Sequence, residues 1–253
     1  AATLDKSKHH PDEKQRRRNQ ALLDLLTPVV KGWCTEQGVE IASTGIQVHG
    51  GMGFIEETGA TQYLRDARIT TIYEGTTGIQ ANDLVGRKVG HEKGATALAV
   101  IAAMRGLEAQ LGAEPSLREG LKEAVDGLEA ATRWIVQTWP SNPKAVAAVS
   151  VPYLKLFGTV AGGWMMARAA LAAGKALEQP DADREFLEGK LASARFYAEH
   201  ELPRAAPLAR EVTLAERGRD GFVDDHAGRQ VGHRAFQCLG DLDPHAPLVR
   251  RDQ

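Results

Sequence analysis

The chain has 253 residues, 43% of them hydrophobic and 25% charged, with a net charge of −2. That balance is ordinary for a globular protein and offers no global field for nucleic acid. Its two cysteines, Cys34 and Cys238, exclude a disulfide scaffold and make a reducing, cytoplasmic setting the expectation. No apolar run reads as the roughly 20 residues that a membrane span needs, and no secretory signal opens the chain. The chain starts at Ala1, in a charged stretch that reads as the interior of a longer protein. There Lys6, Lys8, Lys14 and Arg16 to Arg18 alternate with Asp5, Asp12 and Glu13, the pattern of a solvated helix face.

Strand signals are scarce along the chain and helix signals are frequent. Thr27–Pro28 reads as an N-cap followed by proline at the first helical position. From there Val30, Cys34, Ile41 and Gly45 recur at helical spacing, with Gly38 and Gly45 small enough for close packing. The glycines of His49-Gly50-Gly51-Met52-Gly53 end that helix near Gln47. A second helix is expected from about Thr58 to Arg68, and a third from Thr77 or Gly78 through Leu84 and Val85. The alanine-rich stretch from Ala95 to Leu111 follows, closed by Gly112 and Pro115. Ser116-Leu117-Arg118-Glu119 has the form of a capping box before Leu117, Leu121, Val125, Leu128 and Ile135. Pro140 to Pro143 is a connection, and Pro152 should kink or break the apolar stretch from Ala145 to Gly174. Asp181 to Leu202 is amphipathic, with Leu187, Leu191, Ala194 and Ala198 on one face. Trp33, Trp134, Trp139 and Trp164 lie in helical segments and read as packing residues. The fold class is therefore all-α, a helical bundle. Beyond Glu216 the periodicity fails, and a poorly ordered or atypical tail is expected over residues 215 to 253.

Two stretches carry chemistry. In Gln47-Val48-His49-Gly50-Gly51-Met52-Gly53-Phe54 the glycines expose backbone N–H groups to a bound phosphate, although a plain helix–helix turn has the same composition. Glu56 stands where the dinucleotide fingerprint needs its third glycine, and no strand precedes the stretch. In Tyr73-Glu74-Gly75-Thr76-Thr77-Gly78 one carboxylate sits between the apolar Ile72-Tyr73 and a flexible turn. Apolar walls would desolvate Glu74 and raise its pKa, as a general base near neutral pH requires. A lone glutamate is more often a surface residue. Arg65, Asp66 and Arg68 read either as an ion-pair network before Glu74 or as an ordinary exposed helix end.

Taken together, "GIQVHGGMGFIEETGATQYLRDARITTIYEGTTGIQANDLVGRK", Gly45 to Lys88, resembles the closing region of the acyl-CoA dehydrogenase family. The Gln-x-x-Gly-Gly-x-Gly-Phe turn, Arg65-Asp66-Ala67-Arg68-Ile69 and Tyr-Glu-Gly-Thr occur together, in family order and spacing. The later helical part, with Phe196-Tyr197-Ala198-Glu199 and Leu202-Pro203, is similar to the subgroup with an added C-terminal helical domain, the 3-methylmercaptopropionyl-CoA dehydrogenase-like enzymes. The resemblance implies three segments: residues 1–90 as the end of the dehydrogenase helical domain, 91–214 as an accessory bundle, and the tail. It implies Glu74 as the catalytic base that removes the proton α to the thioester. Gly75 would then lie along the acyl-CoA, with Thr76, Thr77 and Gly78 approaching FAD. Gln47, Val48, His49, Gly50 and Gly51 would reach the adenine side of an FAD held largely by a neighbouring subunit.

The implied partners are an acyl-CoA substrate, N-terminal and middle domains or a neighbouring subunit, a homo-oligomer and an electron-transfer flavoprotein. The chain alone is expected neither to hold FAD tightly nor to turn over acyl-CoA. An acyl-CoA oxidase with the same base, or a helical assembly module with a vestigial Glu74, are the alternatives. His226, His233, Cys238 and His245 fit no compact zinc pattern, and no metal is expected.

Overall fold

A computed structural model describes residues 2–112 and 114–215. The tail and its His226, His233, Cys238 and His245 lie outside them. The described residues contain no strand, and those up to Thr213 form one compact unit. In order the elements are α1 (Ala2–His9), α2 (Glu13–Val48), α3 (Gly51–Phe54), α4 (Ala60–Thr70), α5 (Thr77–Asp83), α6 (Ala95–Glu108), α7 (Pro115–Thr138), α8 (Pro143–Ala148), α9 (Ser150–Leu177), α10 (Arg184–Phe196) and α11 (Ala205–Thr213). Single 3₁₀ turns at Glu56–Thr58 and Leu202–Arg204, and π-helical turns at Leu84–Gly90 and Tyr197–Glu201, join some of them. The second helix begins two residues later than its expected start at Thr58.

The helix start expected at Thr27–Pro28 is absent. The Asp12 side chain caps α2 by accepting from the Lys14 N–H at 2.8 Å, and the helix then runs unbroken for 36 residues, about 54 Å. Pro28 cannot donate to the Asp24 carbonyl, yet its ring is buried beside Leu25, Val29 and Gly32. Packing on that face outweighs the missing bond, and the Thr27 hydroxyl donates back to the Leu23 carbonyl at 2.8 Å. The inward face is therefore not the one expected. Val30 and Ile41 are 57% and 69% exposed, and Cys34 is exposed too.

The expected capping box also fails, because α7 starts one residue earlier with Pro115 in its first turn. Ser116 is then inside the helix, where it cannot cap. The preceding Glu114 binds Arg195 of α10 through two bonds of 2.7 and 2.8 Å. Leu117, Leu121, Val125, Leu128 and Ile135 face the core as expected. The break near Pro152 falls at Val149, and the proline occupies the first turn of α9.

Helix α9 is the centre of the core, packed against α2, α5, α7, α10 and α11. Tyr153, Leu154, Phe157 and Val160 on it are fully buried. The Tyr153 hydroxyl meets Thr132 at 2.8 Å, and the Tyr153 and Phe157 rings meet edge to face at 6.1 Å. Trp33 of α2 abuts Gly158, where a Cβ would come within 2.2 Å of the indole. Contrary to the sequence expectation, α9 is long and apolar enough to cross a membrane by length and composition. Half of its most apolar window is buried within the protein, as befits the core helix of a bundle.

A further contact joins the early and late helices. Trp139, at the end of α7, fills a notch between Gly86 and Gly90 of the first π-helical turn. A Cβ on Gly90 would lie 2.6 Å from the indole, and His91 meets the same ring edge-on at 5.5 Å.

Charge also fastens the bundle. Arg105 of α6 reaches Glu129 and Asp126 of α7 at 2.7 and 2.6 Å. The Arg195 hydrogen bonds hold the Glu114 carboxyl below the ordinary range, and those of Arg105 and then Arg133 do the same for Glu129. Both acids thus bind protons less readily in the folded state. They stabilise the fold above the ordinary glutamate pKa of about 4.3, and this contribution is lost as pH falls through their lower folded values. The urea midpoint should fall with acidification, and Arg195→Met should remove part of that acid-side dependence, worth about 1 kcal/mol or less.

Candidate active site

The expected base lies on the tight turn between α4 and α5. Ile69 accepts from the N–H groups of Ile72 and Tyr73, so the chain leaves α4 in a compact turn. Glu74 then has φ of 54° and Gly75 φ of 90°. A left-handed conformation is natural for glycine but costs a glutamate about 1–3 kcal/mol, and such strain persists only where its surroundings impose it. Here three side chains do so. Lys31 of α2 donates from Nζ to the Gly75 carbonyl at 2.5 Å. Gln80 of α5 donates from Nε2 to the Glu74 carbonyl at 2.9 Å. Glu36 of α2 accepts from the Thr77 hydroxyl at 2.5 Å. A Cβ on Gly75 would press on Gln80 and Ile79 at 3.1 and 3.3 Å.

The Glu74 carboxylate is exposed and makes no hydrogen bond or ion pair among the described residues. The desolvating walls expected around it are therefore not supplied by them, since Ile72 and Tyr73 turn outward at 49% and 51% exposure. What this chain supplies is a backbone fixed in an unusual conformation and a carboxylate free of internal partners. Thr76 is exposed, Thr77 and Gly78 are half-buried, and all three open the first turn of α5.

The glycine turn is elsewhere. Gln47, Val48, His49, Gly50 and Gly51 lie at the exposed far end of α2, sixteen residues beyond Lys31, or about 24 Å along the helix. Gly50 has φ of 62°, and open space surrounds both Gly50 and Gly51 where a Cβ would stand. A flat or phosphorylated group therefore has access to that backbone. Gly53 instead abuts the Ile46 carbonyl, 2.2 Å from where its Cβ would be, which closes α3 against α2. Beside this turn, Gly38, Ile41, Ala42, Gly45, Tyr63 and Ala67 line an open groove of about 450 Å³. The two stretches are thus not brought into one site by this chain.

Arg65 pairs with Glu56 at 3.1 Å and Asp66 accepts from Gln62, so no Arg–Asp network forms. Arg68 does fasten the approach to Glu74, donating to the buried Thr71 hydroxyl at 2.7 Å. Lys31, Glu36 and Gln80 carried no sequence signal, because two of them lie more than 40 residues from the turn they hold.

Comparison with known proteins finds two adjoining family matches. Residues 8–89 match the family model "Acyl-CoA dehydrogenase, C-terminal domain". Residues 96–218 match "Acetyl-CoA dehydrogenase C-terminal like". The 3-methylmercaptopropionyl-CoA dehydrogenase of Ruegeria pomeroyi is 46% identical over 83% of this chain and 36% of its own length. A broad-specificity linear acyl-CoA dehydrogenase of Mycobacterium tuberculosis is 34% identical over 71% of this chain and 31% of its own. A butyryl-CoA dehydrogenase of Syntrophomonas wolfei is 29% identical over 79% and 34%. The chain thus spans about a third of the length of these curated relatives. With two adjoining family matches and a helical fold that carries the Tyr-Glu-Gly-Thr turn, the chain belongs to the acyl-CoA dehydrogenase family and comprises its C-terminal helical region.

Proposed function

We propose that this chain supplies the general base of an FAD-dependent dehydrogenase that converts an acyl-CoA thioester to its 2-enoyl-CoA. The observation that carries the reading is the strained, three-fold anchored turn bearing an unpartnered Glu74 carboxylate. A vestigial glutamate would have no use for that strain, which counts against a purely structural module. Glu74 accepts the α-proton, and the electron pair left at Cα forms the new double bond as hydride leaves Cβ. Bound FAD supplies the hydride acceptor. Gly75 would lie along the thioester, and Thr76, Thr77 and Gly78 would help to hold the flavin. Gln47 to Gly51 serve the adenine half of a cofactor shared with a neighbouring subunit, a role that suits their exposed backbone. The apolar walls that dry the carboxylate come from substrate, cofactor and the other parts of the assembled enzyme.

A homo-oligomer is part of the same reading, supported by the exposed Ile41, Val48, Met52, Phe54 and Tyr63 around the α2–α4 groove. Residues 1–90 and 91–214 act as dehydrogenase domain and accessory bundle, a division the two family matches support. An electron-transfer flavoprotein would be the electron-accepting partner of the FAD-loaded enzyme, in a cytoplasmic setting. The test is anaerobic mixing of the assembled, FAD-loaded enzyme with acyl-CoA. Flavin absorbance should bleach while an enoyl thioester accumulates. Failure to bleach overturns the reading, and rapid peroxide formation in air replaces the dehydrogenase with an oxidase.

A further inference from the structure

We propose that Lys31 is a positioning residue for the base, and this rests on the assignment of that role to Glu74. Its ammonium straddles the glutamate along the chain. It donates to the carbonyl of Gly75, the following residue, and stands 5.9 Å from the ring centroid of Tyr73, the preceding one. Both contacts come from α2, a helix fixed against α9, so the turn is referenced to the core rather than to its own flanks. Gln80 holds the Glu74 carbonyl from α5, the helix that directly follows the turn, and through a neutral amide. Lys31 is thus the charged anchor that joins the left-handed pair to the rigid part of the molecule. A charge-assisted bond to a carbonyl is among the stronger hydrogen bonds, and a half-buried lysine stem limits its freedom. No ion pair joins Lys31 to Glu74 among the described residues, so the lysine can hold the backbone without occupying the carboxylate. Its effect on catalysis is therefore geometric. A base displaced by about 1 Å can lose on the order of 100-fold in rate.

Lys31→Met keeps the stem and removes the donor, and Lys31→Arg keeps a donor. In the 253-residue chain, amide exchange at Gln80 and Ala81 should rise on the order of tenfold in Lys31→Met, while core amides of α9 stay unchanged. Lys31→Arg should restore much of the protection. In the assembled enzyme Lys31→Met should lower kcat by roughly 10–100-fold with KM nearly unchanged, and added to Glu74→Gln it should cause little further loss. Unaltered exchange, or unaltered kcat in Lys31→Met while Glu74→Gln is inactive, overturns the positioning role. Full activity in Glu74→Gln instead removes the underlying assignment of the base, and the exchange data then still report separately whether Lys31 fixes the turn.

Discussion

Glu74→Gln should lower dehydrogenation by roughly 10²–10⁴-fold in the assembled enzyme, the range expected for removal of a general base. The amide is nearly isosteric with the carboxylate but accepts no proton at neutral pH. In this chain the substitution is structurally mild, because the side chain is exposed and has no partner to lose among the described residues. Its left-handed backbone is held through carbonyls by Lys31 and Gln80, contacts that do not involve the side chain beyond Cα. Thermal stability should therefore match the parent while turnover collapses. The measurement is acyl-CoA-dependent flavin reduction, with exchange of the α-proton into deuterated water as a second readout. A variant that retained parent-like reduction and exchange would exclude Glu74 as the base.

Phe157→Ala should destabilise the fold by about 3–5 kcal/mol, the usual loss when a buried aromatic ring is removed from a packed core. Phe157 is fully buried on α9 and meets Tyr153 edge to face. The cavity cannot close easily, because α9 is held at once by α2, α7 and α11. Tyr153 is itself fixed by its hydroxyl bond to Thr132, and burial pushes its phenol above the ordinary range. A denaturant titration reads the loss directly as a fall in midpoint at constant slope. A loss below about 1 kcal/mol would mean that the α9 face is loosely packed.

Much of this was written locally in the sequence. Glycine ended α2 near Val48 as expected, whereas α6 stops at Glu108, three residues before the expected Leu111, and the apolar spacing of α7 named its buried face correctly. The motifs between Gly45 and Lys88 pointed to the family from under a fifth of the chain. What escaped was what distant segments decide. Pro28 lies mid-helix because a core contact outweighs a missing hydrogen bond, and nothing adjacent to it says so. Ser116 lies inside α7 because the helix starts one position earlier, at Pro115. The buried side of α2 was misjudged because two of its faces are apolar, and only the neighbours select between them. Around Glu74 the motif announced a base, yet its anchors on α2 are visible only once the chain folds back. The dry environment expected around it could not come from two apolar neighbours that face outward.

The seating of Trp139 between Gly86 and Gly90 bears on how such proteins can be recombined. The two family matches meet between residues 89 and 96, which invites the view that the halves are interchangeable cassettes. A foreign second half spliced after Gly90 without an indole at this position would leave a hollow between bare glycines. A foreign first half with ordinary side chains at those positions would collide with the ring already there. Chimeras across this junction must inherit lock and key from the same parent.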